Sequence, residues 1–193
     1  MSAPVPLVLR TGSPDQTRAL AGVVAAACLP GDVLLLAGDL GAGKTTFAQG
    51  FGAGLGVVEP ITSPTFTLVR QYPLDRDGPV RTLLHADVWR LDHLHEIVDL
   101  GLGELVEDGA VALVEWGDAA EPVFGADALV VELAAGGDDA PEGGSGDDNR
   151  GGTVVGAGGS DDVRVIRVRP AGVRWVARWD DLARALDRWR VGA

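Results

Sequence analysis

Val33-Leu34-Leu35-Leu36-Ala37 runs without a polar residue and gives way to Gly38-Asp39-Leu40-Gly41-Ala42-Gly43-Lys44-Thr45-Thr46. The apolar run reads as a buried strand, and the segment after it meets the phosphate-loop pattern G-x-x-x-x-G-K-[ST] at every defined position. Gly38, Gly41 and Gly43 let the backbone curl, so that successive N–H groups converge on an anion at the positive end of the next helix. The predicted ligand is a nucleoside triphosphate, with Asp39, Leu40, Gly41, Ala42, Gly43, Lys44, Thr45 and Thr46 around its phosphates. Lys44 is placed against the β- and γ-phosphates. Thr45 offers a hydroxyl to Mg²⁺, which keeps most of its water shell and takes few protein oxygens.

Composition supports this reading. Lys44 is the single lysine of the chain, the other fifteen of the sixteen basic residues being arginine. A compact ammonium suits the phosphates better than a planar guanidinium, so a lysine kept only at this position points to function.

At 193 residues and 46% hydrophobic content the chain can bury one core of ordinary size. We read residues 1–193 as one domain. No apolar run approaches the eighteen or so residues needed to span a bilayer, and the first residues lack a basic start followed by an apolar core. A cytoplasmic protein with no membrane association is expected. Cys28 stands alone in an apolar stretch, which excludes disulfides and thiolate metal sites and predicts a buried thiol. The formal charge of −12 argues against direct nucleic-acid binding, which is driven by phosphate neutralisation.

Upstream of the loop, Leu7 to Leu9 suggest a short strand. Ser13-Pro14-Asp15-Gln16 combines a capping serine, a proline at the first helical position and a glutamine three residues after the cap. The helix it starts is expected to reach about Cys28, and Pro30-Gly31 turns the chain into the loop strand. Downstream, Phe47, Phe51 and Leu55 place one apolar stripe of a helix against the sheet, and Gly52, Gly54 and Gly56 are read as ending it. Thr62-Ser63-Pro64-Thr65-Phe66-Thr67 is a hydroxyl-rich turn. Such a segment can carry a hydroxyl towards Mg²⁺ or the γ-phosphate, with Thr65 the preferred residue, or it can be an ordinary Ser-Pro turn.

Residues 66–72 and 80–86 read as a hairpin. Its second strand ends at Asp87, and the unbroken apolar run Val111 to Val114 ends at Glu115. Ligands of open α/β sheets bind beyond the carboxyl ends of the strands, so Asp87 and Glu115 are brought to the side where the glycine loop opens. One carboxylate can hold the metal or its water shell while the other orients the attacking water, which makes Lys44, Asp87 and Glu115 the candidate catalytic residues and Thr45, Asp87 and Glu115 the candidate metal ligands. Trp89 and Trp116 flank the carboxylates, where either can contact a base or a partner or simply fill the core. Residues 91–106 suggest one or two short helices broken near Gly101 and Gly103. His85, His93 and His95 show no metal-ligand spacing and are read as packing or surface residues.

Ala128 to Ala134 and Val163 to Val168 read as strands. Between them, 136–162 is rich in Gly and Asp, with too little apolar surface to offset its ordering entropy, and reads as a mobile insertion within a hairpin. A last helix is predicted from Arg178 to Arg190, with Trp179, Leu182, Leu186 and Trp189 as its buried stripe. Residues 164–190 hold eight arginines against three aspartates. A solvated helix face is the favoured reading of those charges, ahead of a docking patch.

Gly38 to Thr46, Ser63-Pro64-Thr65-Phe66-Thr67-Leu68-Val69, His85-Ala86-Asp87-Val88-Trp89-Arg90-Leu91 and Leu113-Val114-Glu115-Trp116-Gly117 together resemble the TsaE family, bacterial ATPases of tRNA threonylcarbamoyladenosine biosynthesis. The likeness extends in order and spacing from about residue 7 to residue 135. It implies an α/β fold: a P-loop NTPase-like three-layer domain with a mixed central sheet and a C-terminal helix. It also implies that ATP and Mg²⁺ bind at Lys44 and Thr45, that Asp87 has the metal-site role, that Glu115 lies at the catalytic end and that Thr65 belongs to a switch segment. Trp116, beside Glu115, is included among the nucleotide contacts. The implied partners are the TsaD and TsaB proteins, and the implied task is modification of adenosine 37 in tRNAs that read ANN codons. Trp89 stands where the family usually has tyrosine, and the Gly/Asp insertion and arginine-rich end fall outside the matched region.

Other classes separate on stated features. A GTPase needs an Asn-Lys-x-Asp guanine reader, which a chain with one lysine cannot contain. A small-molecule phosphotransferase shares the loop but calls for an arginine-rich lid, and a nucleotide-switched scaffold would assemble with partners without turnover. Because lengthening a loop costs only about 0.6 kcal/mol per doubling, the insertion is expected to be dispensable. Replacing Pro141 to Gly159 by a Gly-Asn turn should leave soluble protein and ATP affinity unchanged, as gel filtration and calorimetric titration would show.

Overall fold

The computed structural model describes residues 4–64, 67–74, 78–91, 93–136 and 162–192. At its centre β2 (Val33–Ala37) pairs in parallel with β5 (Val111–Glu115) on one side and β6 (Ala128–Ala135) on the other. Beyond β5 come β4 (Thr82–Asp87), also parallel, and then β3 (Val69–Pro73), which runs antiparallel to β4 as the hairpin reading requires. Beyond β6 come β7 (Arg164–Pro170) and β1 (Leu7–Thr11), both joined by antiparallel pairing. Among the described residues the sheet therefore has seven strands in the order β1-β7-β6-β2-β5-β4-β3, and it is mixed as expected.

Side-chain alternation along the central strands divides the core into two layers. Leu34 and Leu36 of β2, with Val111 and Leu113 of β5, face the helices α1 (Pro14–Ala26) and α2 (Lys44–Leu55) and the C-terminal helices α6 (Gly172–Val176) and α7 (Trp179–Ala185). Val33 and Leu35, with Ala112 and Val114, face α3 (Leu94–Asp99), α4 (Leu102–Glu107) and α5 (Gly117–Phe124). A strand covered on both faces needs apolar residues at successive positions, which is why β2 and β5 read as unbroken runs.

Helix α1 begins as its sequence predicts. Ser13 Oγ accepts the Gln16 N–H at 3.2 Å, satisfying one orphan donor of the helix, and Gln16 Oε1 reaches back to accept the Gly12 N–H at 2.8 Å, one residue before the cap. Helix α2 corrects the reading of its glycines. Gly52 and Gly54 lie inside it, and only Gly56, with φ of 91°, ends it. The internal glycines serve close packing: a Cβ at Gly50 would lie 2.3 Å from the Arg18 carbonyl oxygen, and one at Gly52 would lie 1.9 Å from Ile61 Cδ1. Gly101, with φ of 68°, separates α3 from α4, whereas Gly103 is helical.

The C-terminal segment differs from expectation in two respects. The single predicted helix is α7 followed by a 3₁₀ turn at Asp187–Trp189, and the short α6 precedes it, although Trp179, Leu182, Leu186 and Trp189 are all buried. The arginines are not a uniformly solvated face. Arg178 donates to both carboxylate oxygens of Asp32 at 2.8 and 2.9 Å and to the Ala27 carbonyl at 2.8 Å, while Arg174 Nε stands 3.5 Å from the same carboxylate. Arg169 pairs with Glu121 at 2.6 Å. These guanidiniums fasten the end of the chain to the turn that enters β2 and to α5.

The predicted insertion lies almost wholly outside the described residues. Its two ends are adjacent, the Gly136 N–H donating to the Val163 carbonyl at 2.8 Å. Cys28 is buried as expected, and that burial pushes its thiol well above the ordinary range. No helix among the described residues is long and apolar enough to cross a membrane.

Asp32 carries a fully buried side chain, so its charge depends on its partners. Arg178→Met removes the two-point partner and leaves Arg174 and the Leu29 N–H, which donates to Asp32 Oδ2 at 2.7 Å. With those contacts left, a loss of about 2 kcal/mol is expected, below the cost of stripping a buried charge bare, and urea unfolding would measure it.

Candidate active site

The loop after β2 has a shape that only glycine permits at its first position. Gly38 has φ of 133°, and a Cβ there would stand 2.2 Å from the Leu133 carbonyl oxygen. The Ala42 N–H closes a turn on the Asp39 carbonyl at 3.1 Å, and Gly43, with φ of 104°, caps the N-terminus of α2. The start of α2 thus brings backbone N–H groups and a helix dipole to the mouth of the loop.

Lys44 is buried at the mouth of this loop. Its ammonium donates to the Gly38 carbonyl at 2.6 Å and the Asp39 carbonyl at 2.9 Å and lies 3.6 Å from the centre of the Trp116 ring. Burial lowers its pKa from the ordinary lysine value, while Glu115, Asp87, Asp118 and Asp39 pull it back up. Four acids therefore surround one cation. Trp89, largely exposed, packs against Trp116 with ring centres 4.1 Å apart and ring planes tilted by 40°.

The carboxylates meet at the sheet edge facing the loop. Parallel register sets Leu36 beside Glu115 and Glu115 beside Asp87. Both acids are nearly inaccessible, Asp87 at 3% and Glu115 at 2%, so each needs donors. Asp87 receives the Ser63 hydroxyl at 2.8 Å and the Trp89 N–H at 3.0 Å. Glu115 Oε1 lies 2.8 Å from His85 Nε2, and its Oε2 lies 3.5 Å from Thr45 Oγ1. A carboxylate partner makes Nε2 the protonated nitrogen of His85. Backbone strain gathers here too. Among the described residues the two non-glycine positions with positive φ are Leu68, whose carbonyl accepts the Asp87 N–H, and Trp116, which follows Glu115.

Leu40, Gly41, Gly43, Lys44, Thr45, Thr46, Asp87, Glu115 and Trp116 line one cavity of about 460 Å³ together with Ser63 and Trp89. Asp39 lines a neighbouring cavity of about 420 Å³, across Trp116, and Ala42 is buried behind the loop. Thr65 lies outside the described residues. Sequence reasoning set His85 aside as a packing or surface residue, but it is buried against Glu115. The usable signal was its position two residues before Asp87, which puts both on the same face of β4. In the sequence Ser63 is only part of a hydroxyl-rich turn, and Arg164, which reaches the back of the loop, is only one of the eight arginines of 164–190.

The donor set suits a hard cation. Among the described residues no three His, Cys, Asp or Glu side chains form a metal cluster by themselves. Mg²⁺ needs none, since it is commonly held by one or two carboxylates and by substrate phosphates, and Thr45, Asp87 and Glu115 could supply the protein share.

A glycine loop between a central parallel strand and a helix, facing two strand-end carboxylates, defines a P-loop NTPase-like α/β protein. Comparison with known proteins narrows the class. The family model described as threonylcarbamoyl adenosine biosynthesis protein TsaE matches residues 11–141, and the chain belongs to that family. It is 45% identical over 133 residues to the tRNA threonylcarbamoyladenosine biosynthesis protein TsaE of Bacillus subtilis, covering 69% of this chain and 80% of that protein. To the protein of the same name from Streptomyces coelicolor it is 48% identical over 89 residues, which span 46% of this chain and 58% of the relative. The crystal structure of YdiB from Bacillus subtilis superposes with a TM-score of 0.66 at 34% identity, over 95% of this chain and 97% of that one.

Proposed function

We propose that this chain binds ATP with Mg²⁺ in the cavity between the glycine loop and Trp116 and hydrolyses it. In this reading hydrolysis supports threonylcarbamoyladenosine modification of tRNA, together with the TsaD and TsaB proteins. The observation that carries the reading is the pairing of Asp87 with Glu115 in parallel register, with Thr45 Oγ1 3.5 Å from Glu115. Phosphoryl transfer asks a protein chiefly for positioning and for charge, and these residues supply both. Lys44 and the loop N–H groups hold the β- and γ-phosphates. Thr45 and Asp87 hold the metal, and Glu115, held in place by its hydrogen bond to His85, orients the attacking water. Trp116 packs against the nucleotide side of Lys44. The family name supports the pathway, and the charge of −12 supports an indirect connection to RNA.

No arginine lines the cavity among the described residues. Arg70, on β3, is exposed and donates to Thr62 at 3.1 Å. An arginine placed on the transferring phosphoryl group is worth about 10³ to 10⁵ in rate, so slow turnover alone and acceleration by partners are expected.

Two variants separate binding from turnover. Lys44→Ala should weaken ATP binding at least about tenfold, whereas Glu115→Ala should bind ATP nearly as wild type and lose most single-turnover hydrolysis. Single-turnover rates at fixed Mg²⁺ should rise when TsaD and TsaB are added. Equal loss of binding in both variants would move Glu115 into the metal shell, a fast rate unchanged by the partners would remove the partner requirement, and phosphorylation of a sugar or nucleoside would replace hydrolysis by phosphotransfer.

A further inference from the structure

We propose that Arg164 is a positioning residue for the glycine loop, fixing from behind the peptide unit whose N–H faces the nucleotide. The proposal rests on the nucleotide-binding reading above. Arg164 opens β7 and lies beyond the stretch matched by the family model. Its Nε donates to the Ala42 carbonyl at 3.0 Å, its Nη2 reaches the Gly41 carbonyl at 3.4 Å, and its Nη1 donates to the Val163 carbonyl at 2.8 Å. Three contacts on one planar group fix its orientation.

The consequence follows from peptide geometry. In a trans peptide the C=O and N–H point in opposite directions, so an Ala42 carbonyl turned back onto Arg164 turns the Gly43 N–H forward. The Ala42 N–H is already engaged with the Asp39 carbonyl, which leaves the Ala42–Gly43 peptide as the unit that Arg164 controls towards the ligand. Gly43 has φ of 104° and no side chain to restrict it. A guanidinium on its preceding carbonyl supplies the missing restraint, and a charged donor on that carbonyl also makes the opposite N–H a stronger donor. Both effects act on phosphate affinity.

Arg164 does not line the cavity, so it acts through the loop. Nor does β7 need it for attachment, because β7 is paired along its whole length with β6 and over five positions with β1.

The test compares wild type, Arg164→Met and Arg164→Lys by calorimetric titration with Mg²⁺-ADP and with inorganic pyrophosphate, alongside melting temperatures without nucleotide. Arg164→Met should weaken both ligands about tenfold, the loss of one charge-assisted hydrogen bond, with a melting temperature close to that of wild type. Arg164→Lys should recover part of the affinity, since it keeps the charge and one donor. Unchanged affinities in both variants would overturn the proposal, as would a loss confined to ADP, because the clamp acts on phosphates. If Arg164→Met fails to fold, Arg164→Lys decides, and wild-type affinity for both ligands in that variant overturns the proposal. Failure of wild type to bind ADP would instead sink the nucleotide-binding reading itself.

Discussion

Leu36, Glu115 and Asp87 stand side by side because β2, β5 and β4 run in one direction and in one register. A slip of one residue would turn every side chain of a strand to the opposite face, moving Leu113 and Glu115 off the α2 side of the sheet. Such a slip is resisted on both faces, since Leu113 packs in one core layer and Ala112 and Val114 in the other. The same apolar packing that stabilises the sheet thus fixes where the two carboxylates end.

Burying those acids has a cost that the surroundings offset. The Ser63 hydroxyl and Trp89 N–H satisfy Asp87, and the His85 N–H satisfies Glu115, so each charge is solvated by fixed protein dipoles in place of water. Lys44 brings one positive charge to a group of four nearby acids. On the proposed reading, Mg²⁺ supplies the missing positive charge, and it does so where the phosphates also gather.

The sequence exposed those features whose signal is local. The glycine loop, the helix start at Ser13 and the acids that end β4 and β5 each lie within a few residues of the pattern that betrays them. His85 was hidden because its neighbours Leu84 and Ala86 make it look like one position of a buried strand, and its partner Glu115 is 30 residues away. Arg178 and Asp32 pair across 146 residues, so a count of arginines in 164–190 could not distinguish a buried clamp from a solvated face. Helix α5 escaped notice because Pro122 falls inside it, where proline ordinarily signals a break. The glycines of α2 were misread because their demand comes from α1 and Ile61, which local propensity does not contain.

The central claim is that Thr45 and Asp87 join the glycine loop in one metal–nucleotide site. Its most direct test is equilibrium titration of a non-hydrolysable ATP analogue with and without Mg²⁺, in wild type and in Thr45→Val. The account predicts that Mg²⁺ tightens binding by about tenfold or more in wild type and that Thr45→Val abolishes this gain while still binding the analogue. Equal affinity in wild type with and without Mg²⁺, or an undiminished gain in Thr45→Val, would contradict it.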